Sequence, residues 1–422
     1  MNTTEEKQMK NPLGYKSEKG LIFQFAVPSI IAMLVGSLYN IVDQFFIGHS
    51  VGELGNAATN ISFPLSISCV AIALLFGIGG ASAFNISMGA GEKKKAVYYL
   101  GNSAVMLFSC GIGLCVITLM FLEPLLHFFG SPNNVLDYAK TYTGVIAFGF
   151  PFLILTTGGG HLIRADGRPK VSMICNLTGA IINTFLDALF VFGLNMGMRG
   201  AALATIIGQI LSAIMVIWCL SHCKTVVVGK EHLRVSKKII SRIISLGTAP
   251  FSNQLAMMVV QIVMNKSLKY YGSISVYGEA VPIACAGIIT KVNQVFMSFV
   301  IGISQGLQPI TSFNYGAKKY KRVKTAYTFA INYFHIFLFF TFINFMQPIT
   351  SNFFTSIGKP KIGTFLSLTR QIIFLLPLLI VIPLFIGIDG VMYSGPVADF
   401  FAGVICVVMV VKEFKKDIYL EK

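Results

Sequence analysis

Two aspartates stand inside stretches of sequence that are otherwise apolar. Asp43 sits in Tyr39-Asn40-Ile41-Val42-Asp43-Gln44, and Asp187 closes Asn183-Thr184-Phe185-Leu186-Asp187. A carboxyl removed from water holds its charge at a cost, and a second carboxyl nearby adds to it. Such a pair can take up and give back a cation or a proton, so both acids are candidates for ion coupling. Each lies about six residues from the end of its apolar run, roughly 9 Å at a helical rise of ~1.5 Å per residue, which sets both at one depth. Asn183 stands one helical turn before Asp187, and Asn40 one turn before Asp43, so each amide shares a face with its acid. The competing reading is that each Asp only accepts structural hydrogen bonds from Asn or Thr side chains.

Asp399, in Gly395-Pro396-Val397-Ala398-Asp399, lies mid-run and is a further candidate for substrate contact or coupling. Lys291 lies well inside a run, where structural pairing is expected. Glu279 follows Gly278 at the start of a run, within reach of water. His161 and Arg164 stand near the end of a run and are expected to snorkel to the interface. There is no Walker loop, HExxH motif or nucleophile elbow with partners, so the expectation is that the chain is not an enzyme and draws on an ion gradient, not bound ATP. The eight cysteines lie mostly within apolar runs with no CxxC pair, which reads as small buried hydrophobes rather than a metal or disulfide framework. No cofactor is expected beyond the coupling ion, H⁺ or Na⁺.

The elements that carry these residues follow from composition. Hydrophobic residues make up 55% of the 422, charged residues 12%, and mean hydropathy is +0.73, whereas a soluble domain is about 25% charged. The apolar residues come in blocks long enough for a helix to cross a bilayer, without the alternation of a membrane β-barrel. An all-α, polytopic membrane protein follows, with spans near 21–48, 57–88, 96–122, 138–163, 171–193, 200–222, 241–268, 280–313, 324–357, 362–387 and 390–411, about 11–12 transmembrane helices in all. The net charge of +16 is spread in short clusters between spans, not along one face, which argues against nucleic acid as a partner. Lys93–Lys95, then Arg164, Arg168 and Lys170, then Lys224 to Arg242 fall in every second connection, while Glu53, Glu123 and Asp137 mark the others, with Arg199 the exception. Positive charge stays cytoplasmic, which puts Lys7, Lys10, Lys16 and Lys19 of the N-terminus inside. Met1 to Gly20 is polar and offers no cleavable signal.

The chain also repeats itself. Gly79 to Ala90, closing on Met-Gly-Ala before Lys93–Lys95, is echoed by Gly306 to Ala317, closing on Tyr-Gly-Ala before Lys318, Lys319, Lys321 and Arg322. Gly167-Arg168-Pro169-Lys170 returns as Gly358-Lys359-Pro360-Lys361, and Met198-Arg199-Gly200-Ala201 more weakly as Ile388-Asp389-Gly390-Val391. This implies two pseudo-repeated helical bundles facing each other, 21–222 and 241–411, with a cytoplasmic segment 1–20, a cytoplasmic linker 223–240 and a tail 412–422. Halves of this kind place a substrate site at their interface and expose it alternately. The acids do not repeat: Asn265 matches Asp43, Pro377 matches Asp187, and Gln209 matches Asp399. The second half is also about one span short around 324–357, yet both flanks of that segment are basic. It is either one long helix or an incomplete hairpin.

Gly302-Ile303-Ser304-Gln305-Gly306-Leu307-Gln308-Pro309 followed by Asn314-Tyr315-Gly316-Ala317-Lys318-Lys319 resembles the multidrug and toxic compound extrusion (MATE) transporters. So does Asn183 to Asp187 followed by Phe192-Gly193 and Gly200-Ala201-Ala202-Leu203-Ala204-Thr205. The resemblance covers about 20 to 411 and departs from the family at 324–357, where the family has two full helices. It implies two six-helix bundles in a V shape that export cationic, amphipathic drugs in exchange for Na⁺ or H⁺. It also implies an ion site lined by Asp43, Asn183, Asp187 and Thr205, which would be the metal ligands if the ion is Na⁺, with Asn40 beside them. Tyr39, Gln209, Gln305 and Asp399 are the candidates for drug contact, in a monomer within a bacterial-type cell membrane. The alternative is a flippase of the same broad superfamily for a lipid-linked oligosaccharide, but its cavity should be lined with cations to hold pyrophosphate, and here the buried charges of the first half are acidic.

The charge pattern makes a direct prediction. Single cysteines introduced as Glu53→Cys and Lys230→Cys should be labelled by a membrane-impermeant maleimide from opposite faces of intact cells. Equal labelling from outside would overturn the orientation.

Overall fold

The computed structural model describes residues 11–129, 131, 133–274, 280–337, 346–386 and 388–415, and among these all regular structure is helical. In chain order the α-helices are α1 (Glu18–Ser50), α2 (Glu53–Gly89), α3 (Lys93–Met120), α4 (Leu122–Phe128), α5 (Asn133–Ile146), α6 (Phe150–Ala165), α7 (Pro169–Asp187), α8 (Gly197–Ser221), α9 (Lys237–Ser273), α10 (Ala280–Gly316), α11 (Tyr320–Phe337), α12 (Met346–Ser356), α13 (Pro360–Leu368), α14 (Leu376–Ile386) and α15 (Ile388–Phe414). Among the described residues, nine helical segments are long and apolar enough to cross a bilayer, and they coincide with nine of the expected spans. Large apolar side chains such as Phe385, Phe185 and Trp218 are more than 60% exposed, which suits lipid as the solvent. Pro28, Pro64, Pro250, Pro309 and Pro396 lie inside helices, a placement tolerated where neighbouring helices re-satisfy the freed backbone groups.

The repeated sequence marks are helix caps. Gly91, Gly167, Gly358 and Lys318 all take left-handed backbone, with φ of 82°, 82°, 78° and 58°. In each case the next N–H reaches back five residues to a carbonyl: Glu92 to Ser87 at 2.8 Å, Arg168 to Ile163 at 3.2 Å, Lys359 to Phe354 at 2.9 Å and Lys319 to Asn314 at 2.9 Å. This is the Schellman stop, and it satisfies carbonyls that the helix end would strand. Pro169 and Pro360 then start the next helices, where their missing N–H costs nothing. The basic residue of each Gly-basic-Pro turn ties down a later helix: Arg168 donates to the Cys219 carbonyl at 2.7 Å, and Lys359 pairs with the buried Glu413.

The chain forms two compact units. One comprises Ile31–Phe84 and Lys93–Ile244; the other comprises the chain up to Ile30, Asn85–Glu92 and everything from Ser245 onward. In this second unit, glycines of the motif Gly302 to Gly316 let α10 approach its neighbours. A Cβ added at Gly302 would lie 2.6 Å from Ile30 Cα, and one at Gly306 would lie 2.7 Å from Ala26 Cα. Gly316 meets the Ile86 carbonyl in the same way. Such small-residue contacts let van der Waals packing hold helices together where water cannot drive them together. The segment before α1 is pinned here too, by Asn314 donating to the Leu13 carbonyl at 2.9 Å and by Arg322 pairing with Glu18 at 3.1 Å.

The short segment resolves as a hairpin. Tyr327 Oη on α11 and Thr350 Oγ1 on α12 are 2.8 Å apart, and the Tyr327 and Phe353 rings are 4.5 Å apart. In one continuous helix Tyr327 and Thr350 would be about 34 Å apart. The chain therefore folds back, which returns both basic flanks to one side. Two crossings of a ~30 Å core need about forty residues plus a turn, more than Tyr320–Ser356 supplies, so the hairpin is shorter than a full pair of spans. Residues 338–345 lie outside the described residues.

Lys318 is the one member of the four caps that carries a Cβ in the left-handed region, which costs about 1 kcal/mol or more. Lys318→Gly should raise the thermal midpoint of the purified protein, and Gly91→Ala should lower it by a similar amount. No change from Lys318→Gly would show that the cap carries no strain.

Candidate functional site

The site is built by a close helix crossing in the unit Ile31–Phe84 with Lys93–Ile244. A Cβ at Gly208 of α8 would lie 2.7 Å from the Gly179 carbonyl oxygen of α7, and one at Gly179 would lie 2.2 Å from Ser212 Oγ. Ser212 donates to the Cys175 carbonyl at 2.8 Å, closing the seam. One turn farther along each helix this approach brings Asn183 Nδ2 to 3.2 Å from Thr205 Oγ1. Asp187 follows one turn later at the end of α7. There the helix loosens into a π-helical turn, Ala188–Gly193, with Leu194 N–H bonding back five residues to Leu189. Such turns recur where a side chain must be re-aimed at a functional site.

Asp43 (8% exposed), Asp187 (0%), Asn183 (3%) and Thr205 (4%) are all buried. Asp43 lies close enough to Asp187 to interact with it electrostatically, and Tyr39 and Tyr142 interact with both acids. Asn183 also faces the Asp187 carboxyl. Even so, no described group completes a hydrogen bond of normal geometry to Asp43 Oδ1, Asn183 Oδ1 or either oxygen of Asp187. Buried oxygens normally have such partners. Four buried oxygens thus stay without a described donor; oxygens are the donors a hard cation takes, and two of the residues can take a proton instead. Among the described residues no group of three or more His, Cys, Asp or Glu could hold a metal ion.

The structure thus brings together Tyr39, Asp43, Asn183, Asp187 and Thr205. The Asn40 side chain lies outside the described residues. Tyr142 was missed in the sequence: it sits a few residues into its span from the same end as the two acids, and depth counted from that end was the available signal. Its helix is held by Thr143, whose hydroxyl meets Ser62 at 2.6 Å. Gln209 lies on α8 one turn beyond Thr205, with Oε1 where a Cβ on Gly149 would fall 2.3 Å away, and that oxygen also lacks a partner among the described residues. Gln305 and Asp399 belong to the other unit. Asp399 is not a bare acid there, because Arg370 pairs with it and both side chains are 17% exposed. Arg164 does not snorkel; it is buried and donates to Ser172 Oγ at 3.0 Å. Lys291 and Glu279 lie outside the described side chains.

Residues 28–189 and 251–331 match the family described as MatE, more than half of the chain. The chain belongs to the MatE family. The first match contains Asp43, Asn183 and Asp187, while Thr205 lies beyond it. Among MatE relatives, the chain is 26% identical over 316 residues to the multidrug export protein MepA of Staphylococcus saprophyticus, covering 74% of this chain and 68% of that one. It is 27% identical to MepA of Staphylococcus haemolyticus over the same shares. The fold matches an outward-facing multidrug resistance MATE family transporter with a TM-score of 0.85 at 20% identity, covering 99% of both chains. It matches a MOP superfamily transporter from Pyrococcus furiosus equally well, with a TM-score of 0.85, 19% identity and 99% coverage of both. At these identities the structural likeness is one of fold.

The Arg370–Asp399 pair yields a stability prediction. Removing one partner of a buried ion pair costs roughly 3–5 kcal/mol, whereas replacing both by apolar residues is near neutral. Because both groups keep some exposure, Arg370→Met should destabilise toward the lower end of that range. The double variant Arg370→Met with Asp399→Leu should recover most of the loss in a thermal unfolding assay. Equal loss in both would remove the pairing argument.

Proposed function

We propose that this MatE chain is a secondary antiporter that exports cationic, amphipathic drugs from a bacterial-type cell in exchange for H⁺ or Na⁺. The observation that carries the reading is the buried acid pair Asp43 and Asp187, with oxygens that no described donor satisfies. The multidrug-export naming of relatives and fold neighbours supports it. The chain acts as a monomer, in two bundles, 21–222 and 241–411, with its N-terminus cytoplasmic.

The mechanism follows from charge. An ionised carboxylate about 4 Å from a cation gains about 4 kcal/mol at an effective dielectric of ~20, close to three decades of affinity. Protonation removes that attraction. Na⁺ removes it by occupying the oxygens of Asp43, Asp187 and Asn183, with Thr205 as a further ligand. Drug and coupling ion therefore compete for one negative site, and uptake of the ion releases the drug. Ion binding drives the cycle only if it favours one conformation over the other. Tyr39 offers an aromatic face to a drug cation, with Gln209 of the same unit as a further contact. The buried acids favour a cationic cargo over the pyrophosphate of a lipid-linked oligosaccharide.

Asn has nearly the shape of Asp and still hydrogen-bonds, so a structural Asp tolerates the exchange better than a coupling one. Asp43→Asn and Asp187→Asn should each reduce gradient-driven dye efflux from vesicles to less than about a tenth of wild type, with normal folding and membrane insertion. Wild-type efflux in both variants under the same gradient would remove the ion-site assignment.

A further inference from the structure

A second built feature lies where α3 begins and α8 ends, at one membrane surface of the unit Ile31–Phe84 with Lys93–Ile244. It is an open cavity of about 370 Å³ lined by Lys93, Lys94, Val97, Cys223, Lys224, Thr225, Val226, Val227 and His232. Three lysines supply its charged groups, and no acidic side chain lines it, the nearest to its His232 wall being Glu231, 3.5 Å from the ring. Among the described residues none of these three lysine side chains takes part in an ion pair. They also stand at or near the start of a 28-residue helix with no acid in its first turn, so cations face the positive end of the helix dipole.

The walls are fixed rather than incidental. Asp166, fully buried, accepts from the backbone N–H of Lys224 at 2.8 Å and of Thr225 at 2.9 Å, and from Thr225 Oγ1 at 2.6 Å. Arg168 braces that carboxylate at 2.7 Å. On the other side Asn102, fully buried in α3, donates to the carbonyls of His232 and Arg234 at 3.2 and 3.1 Å and accepts from Ser236 N–H at 2.9 Å. Gly101 makes room: a Cβ there would meet the His232 carbonyl oxygen at 2.4 Å. The His232 ring packs on Tyr98 with centroids 4.8 Å apart, and its Nδ1 accepts from Gly229 N–H at 3.0 Å. Burial pushes the Cys223 thiol up to about 12, so thiolate chemistry is not what the cavity offers. Two buried polar side chains, Asp166 and Asn102, thus fix the backbone that carries Lys224 and His232 beside the start of α3.

We infer that this cavity binds a phosphate-bearing anion, held by Lys93, Lys94 and Lys224 at the head of α3. Val227, 86% exposed, flanks the cations, an apolar edge that suits a phospholipid headgroup with its glycerol and first methylenes at the bilayer surface. Free phosphate shares the same recognition chemistry.

The test uses the full chain in phosphatidylcholine nanodiscs, with phosphatidylglycerol or inorganic phosphate added separately. Retained lipid is read by native mass spectrometry and thermal midpoint by Trp218 emission, Trp218 being the single tryptophan. Wild type should retain phosphatidylglycerol. The triple variant Lys93→Gln, Lys94→Gln, Lys224→Gln should lose it by about tenfold or more, while the control Lys237→Gln, Lys238→Gln, outside the cavity, should keep it. A thermal shift with inorganic phosphate in wild type, absent from the triple variant, would instead identify free phosphate as the source. Equal losses in triple and control, or no response to either anion, would overturn the inference.

Discussion

Two carboxyls enclosed by apolar helices, three of whose four oxygens meet no donor among the described residues, set the terms for the rest of this structure. In water a carboxylate is solvated on every side; in a membrane-spanning unit each stranded oxygen costs free energy. A fold keeps such groups only by holding them rigidly and by giving them something to bind. The Gly179–Gly208 crossing provides the first requirement. Any Cβ there would push α7 and α8 apart and break the Asn183–Thr205 bond beside the acids. The π-helical turn after Asp187 supplies a further local adjustment, ending the helix at the residue that matters.

The repeat shows how differently the two units treat charge. Arg370 stands as far past Gly358 as Gly179 stands past Gly167, and Asp399 as far past Gly390 as Gln209 past Gly200. Positions that form a glycine-lined crossing and an amide in one unit thus hold an ion pair in the other. A paired Asp399 is compensated in place, whereas among the described residues no donor completes a hydrogen bond of normal geometry to Asp43 Oδ1 or to Asp187. The asymmetry is the ground for proposing the ion-responsive role for the unit with the acids, while the other holds a charge pair that stabilises its fold.

Much of this was legible in the sequence because its signals are local. Span positions follow from apolar run length, and the Gly-basic-Pro and Gly-Ala marks proved to be Schellman caps whose hydrogen bonds span a few residues. Asp43 and Asp187 were visible because ionisable groups in apolar runs are costly wherever they lie, and Asn183 because it stands one helical turn before Asp187. What was not legible depends on contacts distant in sequence. The hairpin was distinguished from a single helix by Tyr327 meeting Thr350. Tyr142 joins the acids through a neighbouring helix, and Arg164 finds Ser172 across a turn instead of reaching the interface. Arg370 was invisible as a partner because nothing in spacing alone couples Asp399 on α15 to Arg370 in Thr369–Leu375, a π-helical turn that follows α13.

The central claim is that one negative site in the unit Ile31–Phe84 with Lys93–Ile244 serves drug and coupling ion in turn. Its most direct test is equilibrium binding of a cationic dye to the purified protein across a range of pH and of Na⁺ concentration, in wild type and in Asp43→Asn with Asp187→Asn. The account predicts that wild-type affinity falls as pH falls or as Na⁺ rises, and that the double variant binds weakly and responds to neither. A double variant that binds dye as tightly as wild type, with the same dependence on either ion, would contradict it.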